Sequence, residues 1–192
     1  VASAAKLSRK EKQDILSEAR RLYDAAIDWA KKSLRADYPE VLAFKTGMAT
    51  VLRLQGELEE AEKMQRGALK LKTGLDSDHI FVLAGEENLA RILWEGRGLR
   101  GDKEDKGKAK EAKKLSLRVL KVREKTRGWR SRETARIAGL LVEMTADGKQ
   151  KMELQRKLDE RQGVDEEYST DTHEDESISL EGSAKSESKY KE

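Results

Sequence analysis

The stretch Glu60–Leu69, EAEKMQRGAL, has a counterpart at Glu111–Leu120, EAKKLSLRVL, and a looser one at Glu18–Ile27, EARRLYDAAI. Each opens on Glu-Ala. Each closes, seven residues after that alanine, on Ala26-Ile27, Ala68-Leu69 or Val119-Leu120. Ala61 follows Ala19 by 42 residues, and Ala112 follows Ala61 by 51. A repeat of that length accommodates one helical hairpin, and such hairpins bury their apolar faces only by stacking on one another. Stacked arrays present surfaces to other molecules, so the sequence predicts a binding protein rather than an enzyme.

Composition points the same way. Of 192 residues, 40% are charged and 36% hydrophobic, too little apolar material for a thick globular core but enough for a two-layer helical stack. The single proline, Pro39, and the scarcity of β-branched runs favour helix throughout. Without cysteine there is no disulfide and no thiolate metal site. No apolar run approaches the ~18 residues of a membrane span, and the opening VASAAKLSRK lacks the apolar region of a signal peptide. The expectation is a cytoplasmic protein. Val1 leaves two readings open: an initiator methionine has been trimmed, or earlier repeats precede this chain in a longer protein.

Residues 1–36 read as an N-terminal helix, the second half of a partial repeat, with Ile15, Ala19, Leu22, Ala26, Ala30 and Leu34 forming one apolar stripe over 9–35. Ser8 and Glu11 suit a capping box at its start. The break comes at ADYPE, where Pro39 disfavours helix at Tyr38 and opens the next helix. That helix covers about 40–55 through Val41, Leu42, Phe44, Met48 and Leu52, turns at Gly56, and is followed by a partner to about 73. Ile80, Val82 and Leu83 then repeat Pro39, Val41 and Leu42 after 41 residues, with Leu89-Ala90 matching Met48-Ala49. This second hairpin carries an insertion at 97–109. A third unit at about 131–161 packs through Ile137, Ala138 and Leu141, or through Leu140 and Met144 one turn later. Residues 37–162 thus form the repeat region. From 163 to 192, acids, serine and glycine with almost no apolar content read as a disordered tail.

The segment LQGELEEAEKMQRGALKLKTGLDSDH, with its 42-residue period, Gly56 at the turn, Glu60-Ala61-Glu62, Ala68-Leu69, Gly74 and His79, resembles tetratricopeptide repeats of the kinesin light chain type. The resemblance covers roughly residues 15–145. It is similar also to the repeat arrays of fungal nucleotide-binding immune-type receptors, where such repeats serve as sensor or protein-binding regions. Three departures stand out: the insertion after Gly96, a degraded third copy, and Ile80 where the family usually has proline. The resemblance implies an all-α stack, an α-solenoid of about three antiparallel hairpins with a disordered C-terminal tail. It also implies a concave groove that holds protein segments, acidic ones carrying an aromatic among them.

Few residues suggest chemistry. GRGLRG at 96–101 matches the dinucleotide fingerprint letter for letter, but a helix precedes it and no βαβ unit surrounds it, so a loop is the better reading. His79 reads as a linker residue that caps or packs, and His173 lies in the tail. With only these two histidines no metal site is expected, no cofactor is implied, and no activated nucleophile is visible. Trp29, Trp94 and Trp129, near helix ends, are expected to pack between helices.

Charge is uneven. Residues 97–136 hold 16 Lys and Arg against 6 Asp and Glu, whereas 163–192 hold 10 acids against 3 lysines. The plain reading of the basic block is a solvated face. The second is an acidic peptide steered by Arg118, Lys121, Arg123, Arg127 and Arg130. The third is nucleic-acid binding through 97–136, with Arg97 and Arg100 tracking phosphates; the near-neutral total and few aromatics weigh against it. The acidic segment DEEYSTDTHEDE, with Tyr168, could also fold back on the basic face. The function expected is an interaction scaffold holding a protein or peptide along the first helices of the hairpins. Its contacts are expected from Lys45, Thr46 and Arg53 in the first complete repeat and Glu86, Asn88 and Arg91 in the second. Asn88 leads these, because a side-chain amide can pair with an extended backbone.

Overall fold

The structure, a computed structural model, describes residues 8–34, 38–71, 74–98 and 105–171, with side chains to residue 160. Among them the only regular elements are helices: α1 (Arg9–Ser33), α2 (Pro39–Gln55), α3 (Leu58–Leu69), α4 (Ile80–Glu95), α5 (Lys106–Arg127), α6 (Arg132–Met144) and α7 (Gly148–Asp171), plus one 3₁₀ turn at Gly96–Gly98.

The ends of these helices follow from local chemistry. The Ser8 hydroxyl accepts from the Glu11 N–H at 3.2 Å and the Glu11 carboxylate from the Ser8 N–H at 2.7 Å, the reciprocal box predicted for α1. Pro39 occupies the first turn of α2, where its missing N–H costs nothing. Gly56 ends α2 at φ +87°, a left-handed conformation that a side chain would strain. His79 caps α4, its Nδ1 accepting from Phe81 N–H at 3.2 Å while its ring meets that of Phe81 edge-on. Asp105 and Ser131 cap α5 and α6.

The hairpins α2/α3, α4/α5 and α6/α7 stack with α1 as an unpaired second helix packed on α2. The first helices α2, α4 and α6 touch in sequence, and each second helix also packs on the first helix that follows. The core lies between the layers in two clusters. One joins Ile27, Met48, Ala49, Leu52, Ala61 and Ile92, and the other joins Leu83, Leu89, Ala90, Leu93, Ala112, Val119, Ile137, Ala138 and Leu141 with their neighbours. The repeated alanines 61, 68 and 112 are wholly buried, because helices at close approach have room only for a methyl group there. Salt bridges knit α3 to α5: Arg66 holds Glu111 at 2.7 Å, and Glu62 takes Arg66 and Lys108 at 2.9 and 2.7 Å. Those arginine and lysine partners hold Glu62 below the ordinary glutamate range against a burial effect that alone would raise it.

Several expectations change. The stripe on α1 is not buried as one: Ile27 and Ala30 are covered while Ile15 and Leu22 are exposed, because α2 reaches only one side of it. In the third unit both proposed sets are buried, Ile137, Ala138 and Leu141 together with Leu140 and Met144. Within the insertion expected at 97–109, residues 99–104 lie outside the described residues and α5 begins at Lys106. Backbone helix continues through α7 to Asp171, nine residues into the segment read as a tail and including the first seven residues of the fold-back segment, while 172–192 lie outside the described residues. Of the GRGLRG stretch, Gly96–Gly98 form the 3₁₀ turn and the rest lies outside the described residues.

Candidate ligand-binding groove

A depression of about 390 Å³ opens along the first helices of the three hairpins. Thr46, Thr50 and Arg53 line it from α2, Ala84, Glu87, Asn88 and Arg91 from α4, and Arg136 from α6. Residues three and four apart share a helix face, which is why Thr46, Thr50 and Arg53 converge, as do Ala84, Glu87, Asn88 and Arg91.

Glu87 organises the floor. Its carboxylate accepts from Arg123 Nη1 at 2.5 Å and from Arg136 Nε and Nη2 at 2.5 and 3.0 Å, with Arg91 at 3.7 Å. Both members of the Glu87–Arg123 pair are buried. Burial alone would raise the Glu87 carboxyl, but the Arg136 hydrogen bond and the Arg123 charge outweigh it and hold the group below the ordinary range. One buried arginine already balances this glutamate. Arg136, half-exposed, and Arg91 therefore leave the depression with an excess of positive charge.

A neutral network lies beside it. Gln65, fully buried on α3, donates from Nε2 to Thr46 Oγ1 at 3.1 Å and accepts from Asn88 Nδ2 at 2.9 Å. Asn88 Nδ2 also reaches the Thr46 carbonyl at 3.4 Å. The Asn88 amide nitrogen is thus engaged within the fold, and what it can offer a ligand is its oxygen as an acceptor for backbone N–H groups. Arg53 donates to Glu95 at 2.7 Å, while its buried Nε has no partner among the described residues.

Four residues expected on the groove therefore line the depression together: Thr46, Arg53, Asn88 and Arg91. Lys45 and Glu86 do not. Lys45 borders a different depression with Leu52, Glu60, Lys63, Met64 and Gly67, being one residue off the Thr46 face. Glu86 turns to α5 and pairs with Arg118, which also holds Asp78 at 3.0 Å and the Ser77 carbonyl at 2.8 Å. Burial raises the Glu86 carboxyl, with Arg118 opposing and Asp78 adding to the rise.

The proposed basic patch needs a matching correction. Arg123 is buried against Glu87 and Arg118 is committed to Glu86 and Asp78, so neither is an open cation; Lys121, Arg127 and Arg130 are exposed. Arg97 stacks on Trp94 at 3.6 Å, and Lys157 on α7 stacks over Trp129 at 4.6 Å, whose Nε1 donates to Glu124 at 2.5 Å. Trp94 and Trp129 pack against the core as expected, whereas Trp29 is exposed.

Glu87 and Arg136 were not foreseen as site residues. Arg136 directly precedes Ile137 as Asn88 precedes Leu89, so the repeat register contained the signal. Glu87 likewise stands 41 residues after Thr46, in the register that sets Leu89-Ala90 on Met48-Ala49, and one turn before Arg91.

No protein-family model matches the sequence, and no curated protein does. Among solved structures, the chain is similar to nearly identical TPR-like repeats from Podosopora anserina, named for kinesin light chain, at 18% identity and a TM-score of 0.41 over 84% of this chain and 92% of that one. A second structure of those repeats gives 18% and 0.41 over 83% and 92%. A de novo designed helical repeat protein gives 19% and 0.33 over 85% and 86%. The architecture rests on the helix contacts described above. Among the described residues no helix is long and apolar enough to cross a membrane, and no cluster of metal-ligating side chains occurs.

Proposed function

We propose that this chain is a protein-interaction scaffold whose groove along α2, α4 and α6 takes an extended peptide segment bearing carboxylates. One observation carries the reading: three arginines line the depression with a single glutamate, and a buried fourth arginine already neutralises that glutamate. A carboxylate entering beside Arg91 and Arg136 meets unbalanced cations in a site partly shielded from water, where charge-assisted hydrogen bonds strengthen. Asn88 supplies an acceptor for the peptide backbone, and Thr46 and Thr50 form the polar wall. Nucleic-acid binding through 97–136 is weaker, because Arg118 and Arg123 are engaged with carboxylates of the fold itself.

The test is a fluorescence-anisotropy comparison of acidic, basic and uncharged peptide arrays against the full chain. Acidic peptides should bind selectively, and Arg91→Glu should weaken them roughly tenfold or more, since one charge-assisted contact is worth about 1.5–3 kcal/mol. Equal binding of all three arrays, or indifference to Arg91→Glu, would refute the assignment.

A further inference from the structure

The buried hydrogen-bond chain beside the groove fixes the direction of one hydroxyl proton. The Thr46 carbonyl can only accept, so its 3.4 Å contact with Asn88 turns the Asn88 amide nitrogen toward α2. That nitrogen also donates to Gln65 Oε1 at 2.9 Å, which leaves the fully buried Gln65 to present its own Nε2 to Thr46 Oγ1 at 3.1 Å. Thr46 Oγ1 is therefore an acceptor on its inner side. Its own proton has no acceptor among the described residues and is offered to whatever enters the depression. Thr50, by contrast, gives its proton to the Thr46 carbonyl at 2.9 Å.

The cations around this donor are in excess. Arg53, Arg91, Arg136 and the buried Arg123 are set against two glutamates, Glu87 in the floor and Glu95 paired with Arg53, while exposed Glu133 stands in the field of Arg127 as well. Two positive charges are left unbalanced. Arg91 lies 3.7 Å from Glu87, beyond hydrogen-bond reach, and the buried Nε of Arg53 has no partner among the described residues. The donors converge from three helices: Thr46 from α2, Arg91 from α4 and Arg136 from α6. A carboxylate offers one charge and two oxygens in a single plane. A phosphate monoester offers three terminal oxygens splayed about phosphorus and a charge of about −1.5 to −2 at pH 7.

We propose that the anionic group this groove reads is a phosphorylated serine or threonine of the partner segment, an assignment that rests on the groove being a peptide site. Thr46, Arg91 and Arg136 take its three oxygens, and the Asn88 oxygen is left for a backbone N–H of the same segment. A nucleic-acid diester fits less well, since each of its phosphates carries a single charge and two terminal oxygens.

The full chain is titrated by fluorescence anisotropy with three degenerate peptide pools that differ only in a fixed central residue: phosphoserine, aspartate or serine. The phosphoserine pool should bind about tenfold or more tighter than the aspartate pool, the factor expected of one further charge-assisted hydrogen bond, and the serine pool should bind weakest. Thr46→Val should narrow the phosphoserine-to-aspartate ratio, and Thr46→Ser, which keeps the hydroxyl, should restore it; a merely structural role for Thr46 would lower both pools together and leave the ratio unchanged. Equal binding of the phosphoserine and aspartate pools, both weakened by Arg91→Glu, overturns the phosphate assignment and leaves the acidic-peptide groove standing. A ratio indifferent to Thr46→Val overturns it too. Binding of neither pool refutes the groove and the assignment together. Displacement of the phosphoserine pool by oligouridylate at equal phosphate concentration would give the site to nucleic acid instead.

Discussion

Replacing Glu87 by glutamine tests the electrostatic floor of the groove. The substitution keeps the shape of the side chain and removes its charge, leaving Arg123 buried with only the Glu133 carbonyl, at 3.0 Å, and a neutral amide oxygen as partners. Stranding one member of a buried ion pair costs about 3–5 kcal/mol, and the retained amide acceptor places Glu87→Gln at about 3. Arg136→Ala removes hydrogen bonds to the same carboxylate, but its side chain is 55% exposed, so its loss should cost no more than about 1 kcal/mol. Urea unfolding followed by circular dichroism measures both, and Glu87→Leu combined with Arg123→Met should recover most of the loss. The pH dependence has a definite sign. The Glu87 carboxyl is held below its ordinary value in the fold, so its contribution is complete above the unfolded value and lost as pH falls through the folded one. Glu87→Gln should therefore flatten the acid limb of the stability curve. A cost under about 1 kcal/mol, or an equal cost for Arg136→Ala, would refute the buried-pair reasoning.

Other substitutions test separate features. Glu86→Gln should behave oppositely to Glu87→Gln in its pH response. The Glu86 carboxyl is raised by burial, so its contribution is complete below the unfolded value and lost as pH rises through the folded one, and the variant should gain on the parent across that window. Asn88→Ala strips the fully buried Gln65 of a donor and should cost about 1–3 kcal/mol in urea unfolding, with Gln65→Leu in the same chain restoring part of it. Gly47→Ala would drive a methyl group into the Tyr23 ring where α1 and α2 approach, and overpacking of this kind costs about 1–3 kcal/mol. Tyr23→Ala should remove that specific penalty, and additive losses in the double variant would show that the ring is not the obstacle.

The helices were legible because their signals are local. Ser8 with Glu11, Pro39 and Gly56 mark ends by capping, fixed φ and left-handed backbone, each readable within a few residues. The buried alanines were legible for a related reason: a position that must stay small in every copy shows through a repeat. The site was legible in part. Thr46, Arg53, Asn88 and Arg91 fall on the groove because helical spacing and repeat register put them there, whereas neighbouring Lys45 and Glu86 lie about 100° round the helix and face elsewhere. A basic run in the sequence also looked like a surface patch. Its members Arg118 and Arg123 instead answer carboxylates 32 and 36 residues earlier.

The sequence by itself determined the all-helical class, the hairpin period, the alanine seams and most helix ends, since propensity, capping and periodicity act between residues close along the chain. Only the tertiary structure decided which charges are open and which are consumed, and which apolar faces are covered. Whether Glu87 is balanced depends on arginines from α5 and α6, and whether the α1 stripe is buried depends on a neighbouring helix. Both are set by distances across the stack, which no spacing along the chain records.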